Sequence, residues 1–377
     1  MTILFWFSVL LILYIYIGYP ILLRYLPKKA LHISELSPAP KISILIPAFN
    51  EAKVIEGTIR NKLEQNYPSD LIEIIVISDE SEDGTDDIVI RISTTEARVR
   101  LIRQTPRQGK TAGLNLAMQQ AQGDIIIFSD ANSHYEKNAI AHLVNCFSDP
   151  QVGYVTGKMV YVNSDGSLVG DGCSAYMKYE NHMRALETQV DSVVGVDGGI
   201  DAIRKELYQP MNADQLPDFV LPLKVVTQGK RVIYCEAALL NEESLSSSQS
   251  EFRMRVRVSL RAYWAMKDMK HLFNPSTYGL FALQITSHKL LRYIAFIPLL
   301  LAFVSNGFIT HNAFYALTFL IQILFYGSAA FVSLNDGTNN RWLGLANYFC
   351  LINIASAMAF VKFLKGEKIV LWKPRVG

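Results

Sequence analysis

The chain has 377 residues, of which 36 are basic and 34 acidic, and 50% are hydrophobic. This near-neutral balance argues against a nucleic-acid partner, which needs a strongly basic surface. The length allows one large domain or two ordinary ones, so the distribution of the apolar residues along the chain determines the expected organisation.

The N-terminal segment is apolar from its first residue. Residues 1–23 carry no charge and are followed by Arg24, Lys28 and Lys29. A membrane-spanning helix needs about 20 consecutive apolar residues. A cleaved signal peptide would instead begin with a basic region before a shorter apolar core. We therefore predict a transmembrane anchor over residues 1–26, followed by a Pro- and Ser-containing linker over residues 27–40.

The next segment, residues 41–248, has the composition of a globular domain. Apolar strands are predicted within residues 41–47, 72–78, 99–102, 123–130 and 151–157, with helices at 51–65, 84–92, 109–121 and 136–147 between them. Continuous apolar strands that alternate with helices are typical of a parallel sheet covered on both faces. The sequence therefore predicts an α/β domain. The four cysteines lie far apart without a CxxC pair, so neither zinc nor a disulfide framework is indicated.

The C-terminal part returns to an apolar composition. A basic amphipathic segment over residues 249–289 precedes three apolar stretches at 290–308, 313–334 and 342–364, and a basic tail covers 365–377. Basic residues beside a span favour the cytoplasmic side, so we expect a multi-pass protein of the inner or plasma membrane with a cytosolic globular domain. One anchor plus three spans would place the basic tail outside, so a re-entrant or interfacial segment is the alternative.

Polar residues follow the ends of three predicted strands. Asn50 and Glu51 follow the first strand, Asp79 the second, and Asp130 and Asn132 the fourth. In open α/β sheets, ligands bind outside the carboxyl ends of the strands. Each residue taken singly has the alternative role of capping the next helix. Together they predict a ligand site at one edge of the sheet.

Seven motifs occur in a fixed order along residues 40–290. They are IPAFNE at 46–51, SDESEDGT at 78–85, RQGKTAGLN at 107–115, SDAN at 129–132, GGIDAIRKELY at 198–208, PDFVLP at 217–222 and EFRMRVR at 251–257. The set resembles the family 2 glycosyltransferases of GT-A fold, in the membrane-anchored branch related to cellulose and hyaluronan synthases. The resemblance implies a GT-A nucleotide-diphospho-sugar transferase domain, with a mostly parallel sheet and helices on both faces. One N-terminal and about three C-terminal transmembrane helices would flank this domain.

The resemblance also implies how a donor would be held. Asp130 matches the first position of the family's Asp-x-Asp motif, and Asn132 stands where the second acid is usual, so these two would hold Mg²⁺ or Mn²⁺ through oxygen atoms. Asp79 matches the acid that contacts uracil, which favours a UDP-sugar. Asn50, Glu51 and Lys110 would line the same nucleotide-sugar pocket. An ordinary solvated lysine is the alternative for Lys110.

Asp197 or Asp201 would face sugar hydroxyls, whereas Asp83 is better explained as a turn and helix cap.

Two further residues are expected to act in the reaction. Asp218 matches the family's catalytic base, which takes the proton of the attacking acceptor hydroxyl. Its alternative is a helix cap. Arg257 remains from the family's Gln-x-x-Arg-Trp motif and would stabilise the leaving diphosphate. Met254 and Val258 replace the Gln and Trp of that motif, which disfavours long-chain polymerisation.

These observations predict an inverting glycosyltransferase, a hexosyltransferase in type, with a saccharide or lipid-linked acceptor at the cytosolic membrane face. Its product would belong to a cell-surface polysaccharide or glycolipid. Two alternatives stay open. One is a processive polysaccharide synthase, and the other is a weakly active nucleotide-sugar-binding partner of a polysaccharide-export complex, which Asn132 would suit.

Overall fold

The computed structural model describes residues 1–162, 168–243, 248–334 and 340–369. These residues divide into two compact units. Unit 1 takes its residues from Met1–Pro27, Tyr161–Glu180 and Glu243–Glu367. Unit 2 takes its residues from Lys28–Val160 and Asn181–Glu242, with the described residues from Lys368 onward. Residues 370–377 of the predicted basic tail lie outside the described residues.

The elements alternate between strands and helices through most of the globular region. The strands are β1 Ile42–Ala48, β2 Ile72–Ser78, β3 Val99–Arg103, β4 Ile125–Phe128, β5 His134–Tyr135, β6 Val152–Val162, β7 Asp201–Arg204 and β8 Arg231–Glu243. The helices are α1 Thr2–Leu13, α2 Tyr19–Tyr25, α3 Ile55–Leu63, α4 Thr85–Ser93, α5 Lys110–Met118, α6 Ala139–Asn145, α7 Leu168–Val190, α8 Pro217–Thr227, α9 Ser248–Asp268, α10 Pro275–Gln284, α11 Leu291–Tyr293, α12 Phe296–Gly307, α13 Ala313–Leu334 and α14 Arg341–Leu364.

One mixed sheet forms the framework of unit 2, with strand order β3-β2-β1-β4-β7-β6-β8-β5. The first four strands in this order pair in parallel, since β1 pairs with both β2 and β4 and β2 pairs with β3. The pairs β4–β7, β6–β7 and β5–β8 are antiparallel. The α/β class expected from the sequence is confirmed, and the parallel half contains the strands whose ends carry the predicted site residues.

The parallel strands form the core of unit 2. Every residue of β1, β2 and β4 is buried. Continuous apolar strands suit this position because both faces of such a sheet are covered. The polar exceptions are partnered. Ser43 donates a hydrogen bond to the carboxylate of Glu73, whose other oxygen lies 2.8 Å from Arg100 Nη2.

Unit 1 holds the helices that could cross a membrane. Within the described residues, three are long and apolar enough: Thr2–Tyr25, Ala313–Leu334 and Trp342–Leu364. A π-helical turn at Tyr14–Gly18 joins α1 to α2 in the first of them. The predicted stretch 290–308 is broken, because Pro275–Tyr293 and Phe296–Gly307 meet at 56° and form either one broken span or a re-entrant loop. One N-terminal and two C-terminal helices thus agree closely with the expected membrane segments.

Candidate active site

The predicted polar residues collect at one edge of the sheet because the strands before them run in parallel. Ala48 at the end of β1 is in register with Ser78 at the end of β2, and Phe128 at the end of β4 is in register with Leu45. Asp79 directly follows its strand, and Asn50 and Asp130 each come two residues after theirs. This is the edge at which α/β sheets bind their ligands.

Asp79 anchors the loop that leads into α5. Its side chain is 3% exposed, and it accepts hydrogen bonds from the Gln104 amide, from the backbone N–H of Gln108 at 2.9 Å and from that of Gly109 at 3.1 Å. Arg107 Nε lies 3.3 Å from Asp79 Oδ2, the longest of these contacts. The Arg107 guanidinium also stacks on the ring of Phe49, 3.4 Å from its centroid. Asp79 therefore fixes a cation and an aromatic ring beside the predicted nucleoside pocket.

Asn50 and Glu51 join the two loops that follow β1 and β2. Asn50 has a left-handed backbone with φ 56°, and its side-chain oxygen accepts from the N–H of Glu82 at 2.9 Å. The backbone N–H of Glu51 donates to Thr85 Oγ at 2.9 Å. Asp83 accepts from the N–H groups of Ala52 and Thr85, which is the turn role expected of it. The amide of Asn50 therefore holds the loop after β2 against the loop after β1.

Lys110 joins two of the predicted acids. Its Nζ lies 2.7 Å from Asp130 Oδ1 and 3.6 Å from Asp218 Oδ1. Burial alone would lower the pKa of Lys110, but the charges of Asp130 and Asp218 outweigh it and raise that pKa above its usual value. Lys110 is therefore a permanent cation between the two carboxylates. The alternative of a solvated lysine does not fit a side chain that is only 18% exposed.

Asp218 lies in the first turn of α8 with 27% of its side chain exposed. Gly198, with φ +81°, runs directly against its carboxyl group, so that a Cβ atom on Gly198 would overlap it. This backbone conformation and this close approach both require glycine. The GGIDAIRKELY segment thus forms one wall beside the candidate base.

Asp197 and Asp201, the two acids on either side of the Gly198–Gly199 pair, do not face open space. Asp197 forms an ion pair with Arg184 in which both side chains are 4% exposed. Asp201 is fully buried, and its Oδ2 accepts from the Tyr154 hydroxyl at 3.0 Å and from the Gly198 N–H at 2.9 Å. Burial, supported by the negative charges of Asp218 and Asp197, raises the pKa of Asp201 to about 7. Asp201 therefore supports the backbone of Gly198, which lies against the carboxyl group of Asp218. Because Asp201 is fully buried, it is not positioned to contact sugar hydroxyls.

The turn that carries Asp130 and Asn132 is fixed from α3. Thr58 Oγ donates to the Ala131 carbonyl at 2.6 Å, and Lys62 Nζ donates to the Ser133 carbonyl at 2.6 Å. Lys62 is fully buried and lies over the Tyr135 ring, with Nζ 3.5 Å from the centroid. A buried ammonium is costly unless its donors are used. Burial lowers the pKa of Lys62 well below its usual value, and the hydrogen bond from its Nζ holds the Ser133 carbonyl at the end of this turn.

The donor atoms of this turn fit a hard divalent cation. Asp130 offers a carboxylate that is 35% exposed, and Asn132, which is half-buried, offers an amide oxygen. Among the described residues, no three His, Cys, Asp or Glu side chains are grouped to hold a metal by themselves. Mg²⁺ commonly takes one or two protein oxygens and completes its shell with substrate phosphates and water. Two protein ligands are therefore sufficient for a cation that arrives with a diphosphate.

Arg257 lies on α9 in unit 1 and is half-buried, so its catalytic role stays a prediction. Its neighbours in the EFRMRVR motif differ in environment. Arg253 is exposed, whereas Arg255 Nε lies 2.7 Å from Glu251 Oε1 and Arg255 Nη2 donates to the Tyr348 hydroxyl at 2.7 Å.

Three groups near the site had no assigned role in the sequence: the Arg107–Phe49 stack, Tyr154, which donates to Asp201, and Lys62. Arg107 lies in the RQGK motif, so its motif position was a usable signal. Tyr154 and Lys62 belong to ordinary strand and helix patterns, and their roles arise from contacts with residues 47 and 71 positions away. Single-sequence patterns carry no signal for such contacts.

Residues 43–209 match the sequence family Glycosyl transferase family 2. A probable glycosyltransferase, YdaM, from Bacillus subtilis is 29% identical over 248 residues, which cover 62% of this chain and 57% of YdaM. The β-monoglucosyldiacylglycerol synthase of Trichormus variabilis is 26% identical over 169 residues, 44% of this chain and 36% of that protein. The chain thus spans less than two thirds of the length of these curated relatives.

A solved structure is similar over nearly the whole chain. The mannosyltransferase PcManGT from Pyrobaculum calidifontis, in complex with GDP-Man and Mn²⁺, aligns with a TM-score of 0.72 and 21% identity. The alignment covers 97% of this chain and 99% of the mannosyltransferase. Identity at this level supports the fold alone, and that fold is GT-A. Residues 43–209 of the chain therefore form a glycosyltransferase family 2 domain, the domain of a sugar-transferring class of enzymes.

Proposed function

We propose that this chain is an inverting glycosyltransferase that moves a hexose from a nucleotide-sugar donor to a hydroxyl of a saccharide or lipid-linked acceptor. In this role Asp218 takes the proton of the attacking hydroxyl, and the oxygen attacks the anomeric carbon opposite the leaving diphosphate. Asp79, Asn50, Glu51 and Lys110 hold the nucleotide part of the donor.

The observation that carries the proposal is the position of Lys110 between Asp130 and Asp218, at 2.7 Å and 3.6 Å. A sugar diphosphate brings negative charge to a site where a lysine and two acids already meet. A cation on Asp130 and Asn132 would take over the charge that Lys110 now supplies to Asp130, which leaves Lys110 to face phosphate oxygens. Asp218, whose side chain is 27% exposed, then remains available to the acceptor hydroxyl.

UDP is the proposed nucleotide, in complex with Mg²⁺ or Mn²⁺. Asp79 already accepts several hydrogen bonds, and Arg107 at 3.3 Å is its longest and most easily exchanged partner. A uracil N–H can replace that contact while the base stacks beside Phe49. The divalent ion, when bound, would neutralise the diphosphate and stabilise it as a leaving group. The PcManGT complex contains GDP-Man and Mn²⁺, so GDP-mannose belongs in any donor panel.

The proposed location is the cytosolic face of the inner or plasma membrane. Three described helices are long and apolar enough to span a bilayer, and exposed apolar side chains such as Leu317, Ile321 and Leu324 on α13 suit contact with lipid. The basic residues of α9 favour the cytoplasmic side. A lipid or lipid-linked acceptor fits this location, and the Trichormus relative is named for a glycolipid product. Arg257 on α9 is proposed to stabilise the leaving diphosphate.

A donor panel tests the proposal. Membranes containing the full chain are incubated with labelled UDP-sugars and GDP-mannose, with Mn²⁺, with Mg²⁺ and with a chelator. Metal-dependent transfer from a UDP-sugar is the expected result, and the absence of transfer from every donor contradicts it. Nucleotide binding without turnover would instead favour the non-catalytic binding partner, and long labelled products would favour a processive synthase.

A further inference from the structure

Unit 1 contains a cavity of about 70 Å³ whose lining is unusually charged. The lining residues come from the N-terminal helix, α7, α9, the helical segment around residue 289 and α14. Five of them have acidic or basic side chains: Glu180, Arg255, His288, Lys289 and Arg292. On a comparable measure one water needs roughly 10–15 Å³, so the cavity has room for a group of about five heavy atoms.

The buried carboxylate of Glu180 lies within ion-pair distance of most of these basic groups. Glu180, 3% exposed, pairs with Arg292, has His288 Nε2 at 3.3 Å and has Lys289 Nζ at 3.9 Å. Burial alone would raise the pKa of Glu180, but Arg292, His288 and Lys289 outweigh it and hold that pKa well below its usual range. Glu180 is therefore a full negative charge, and it is shared among several positive groups.

The remaining cation, Arg255, forms an ion pair with a different carboxylate. Arg255 pairs with Glu251 at 2.7 Å, and Glu251 is 1% exposed. The guanidinium groups of Arg255 and Arg292 both face the Tyr176 ring, at 4.5 Å and 5.2 Å from its centroid. Among the described residues in these ion pairs, the three cations Arg255, Lys289 and Arg292 outnumber the two carboxylates of Glu180 and Glu251, without counting His288. A lining with more cations than acids favours an anion in the cavity.

We propose that this cavity binds the phosphate group of a membrane lipid. A phosphate group has five heavy atoms, and guanidinium groups match its oxygens in bidentate geometry. The cavity belongs to the unit that contains the candidate membrane spans, and basic pockets between such helices are known binding places for lipid headgroups. A phospholipid and a lipid monophosphate carry the same chemistry, so the test contains one probe for each. The proposal concerns unit 1 alone and stands independently of the sugar transfer proposed above.

Lys289→Gln is the most informative variant. Lys289 is the most distant of the three groups paired with Glu180, so its replacement keeps the Arg292–Glu180 and Arg255–Glu251 pairs while removing one charge from the cavity. Lys270→Gln is the matched control. Lys270 belongs to unit 1, is exposed and does not line the cavity, and its replacement removes the same charge.

The full chain in dodecyl maltoside is titrated with dodecyl phosphate, with dihexanoyl phosphatidylglycerol and with inorganic phosphate, and the thermal midpoint is followed. We expect a saturable rise with at least one lipid probe. Loss of a charged hydrogen bond weakens such binding by about tenfold or more, so Lys289→Gln should raise the apparent Kd by that factor while Lys270→Gln changes it less than about twofold. The stronger lipid probe identifies the source of the phosphate.

The proposal is overturned if neither lipid probe raises the midpoint, if inorganic phosphate alone does so, or if the two variants bind alike. If Lys289→Gln does not fold, the proposal is tested on the native chain alone. Stabilisation by dodecyl phosphate and not by dodecanol at equal concentration supports the proposal. Equal effects of the two compounds contradict it.

Discussion

The α-carbon of Gly198 lies so close to Asp218 that no side chain fits between them. A Cβ atom at Gly198 would overlap the carboxyl group of Asp218, and the φ of +81° disfavours other residues as well. The position of the proposed base is therefore set by a glycine 20 residues earlier in the sequence, and the two residues must be treated as one structural element.

Gly198→Ala should displace Asp218 while leaving the nucleotide site intact. A misplacement of about 1 Å at a reacting group can cost about 100-fold in rate, so we expect kcat to fall by that order while the Kd for UDP changes less than about threefold. Steady-state transfer assays and calorimetry measure the two quantities. Gly229→Ala is the control, because Gly229 also has a positive φ, +73°, but has no atom within 4 Å of an added Cβ. Equal loss in both variants would mean that backbone strain, and not the contact with Asp218, causes the effect.

Lys110→Met should change metal and nucleotide binding in opposite directions. Without the ammonium group, Asp130 and Asp218 lose their shared cation, so Mn²⁺ should bind the nucleotide-free protein several-fold more tightly. UDP should bind about tenfold more weakly, because a charged contact to phosphate is lost. Calorimetry with Mn²⁺ alone and then with UDP checks both directions. The exposed Lys137 provides the control variant Lys137→Met. A parallel change of both affinities would refute the position assigned to Lys110.

The raised pKa of Asp201 predicts that the stability of the folded protein depends on pH. Its pKa is raised from 3.8 to about 7 in the folded protein, so between these values the folded state holds a proton that the unfolded state has released. Stability should therefore fall as pH rises from about 4 to 7 and then level off, with an upper bound of about 4 kcal/mol for this group. Asp201→Asn should remove this part of the decline.

Thermal midpoints between pH 4 and 8 test this expectation for Asp201. The variant Asp70→Asn, at an exposed position, should follow the native profile and serves as the control. If Asp201→Asn keeps the native slope over this range, the buried carboxyl group does not titrate as proposed.

Lys62→Met tests the turn that carries Asp130 and Asn132. The substitution keeps the length of the side chain but removes the hydrogen bond to the Ser133 carbonyl. Losing a group that orients metal ligands typically costs about 10-fold or more in metal affinity, so the Mn²⁺ concentration for half-maximal transfer should rise by about that factor. Metal titrations of the transfer rate measure it, with the exposed Lys53→Met as control. An unchanged metal requirement would separate Lys62 from the cation site.

The sequence predicted the parallel half of the sheet well and its other half less completely. Continuous apolar runs located β1, β2 and β4 correctly because these strands are buried on both faces. The same kind of run at 151–157 belongs to β6, which pairs in antiparallel fashion with β7. Apolar content reports burial and not strand direction, so the mixed character of the sheet was not predictable from that pattern.

The helix after β1 shows a second limit of the sequence. It was expected from Glu51 but begins at Ile55, because the loop after β2 holds Glu51 and Ala52 through Thr85 and Asp83. The strand-end residues Asn50, Asp79 and Asp130 were predictable because parallel strands end at one edge. The Asp201–Tyr154 and Lys62–Ser133 contacts join distant segments, and only the folded chain brings them together.

The most direct test of the central claim compares the native chain with Asp218→Asn in transfer from a labelled UDP-sugar with Mn²⁺, together with UDP affinity by calorimetry. If Asp218 takes the proton of the acceptor, transfer should fall by about 100-fold to 10,000-fold, the typical contribution of a general base, while UDP affinity stays within about twofold. Transfer at the native rate by Asp218→Asn would contradict the account.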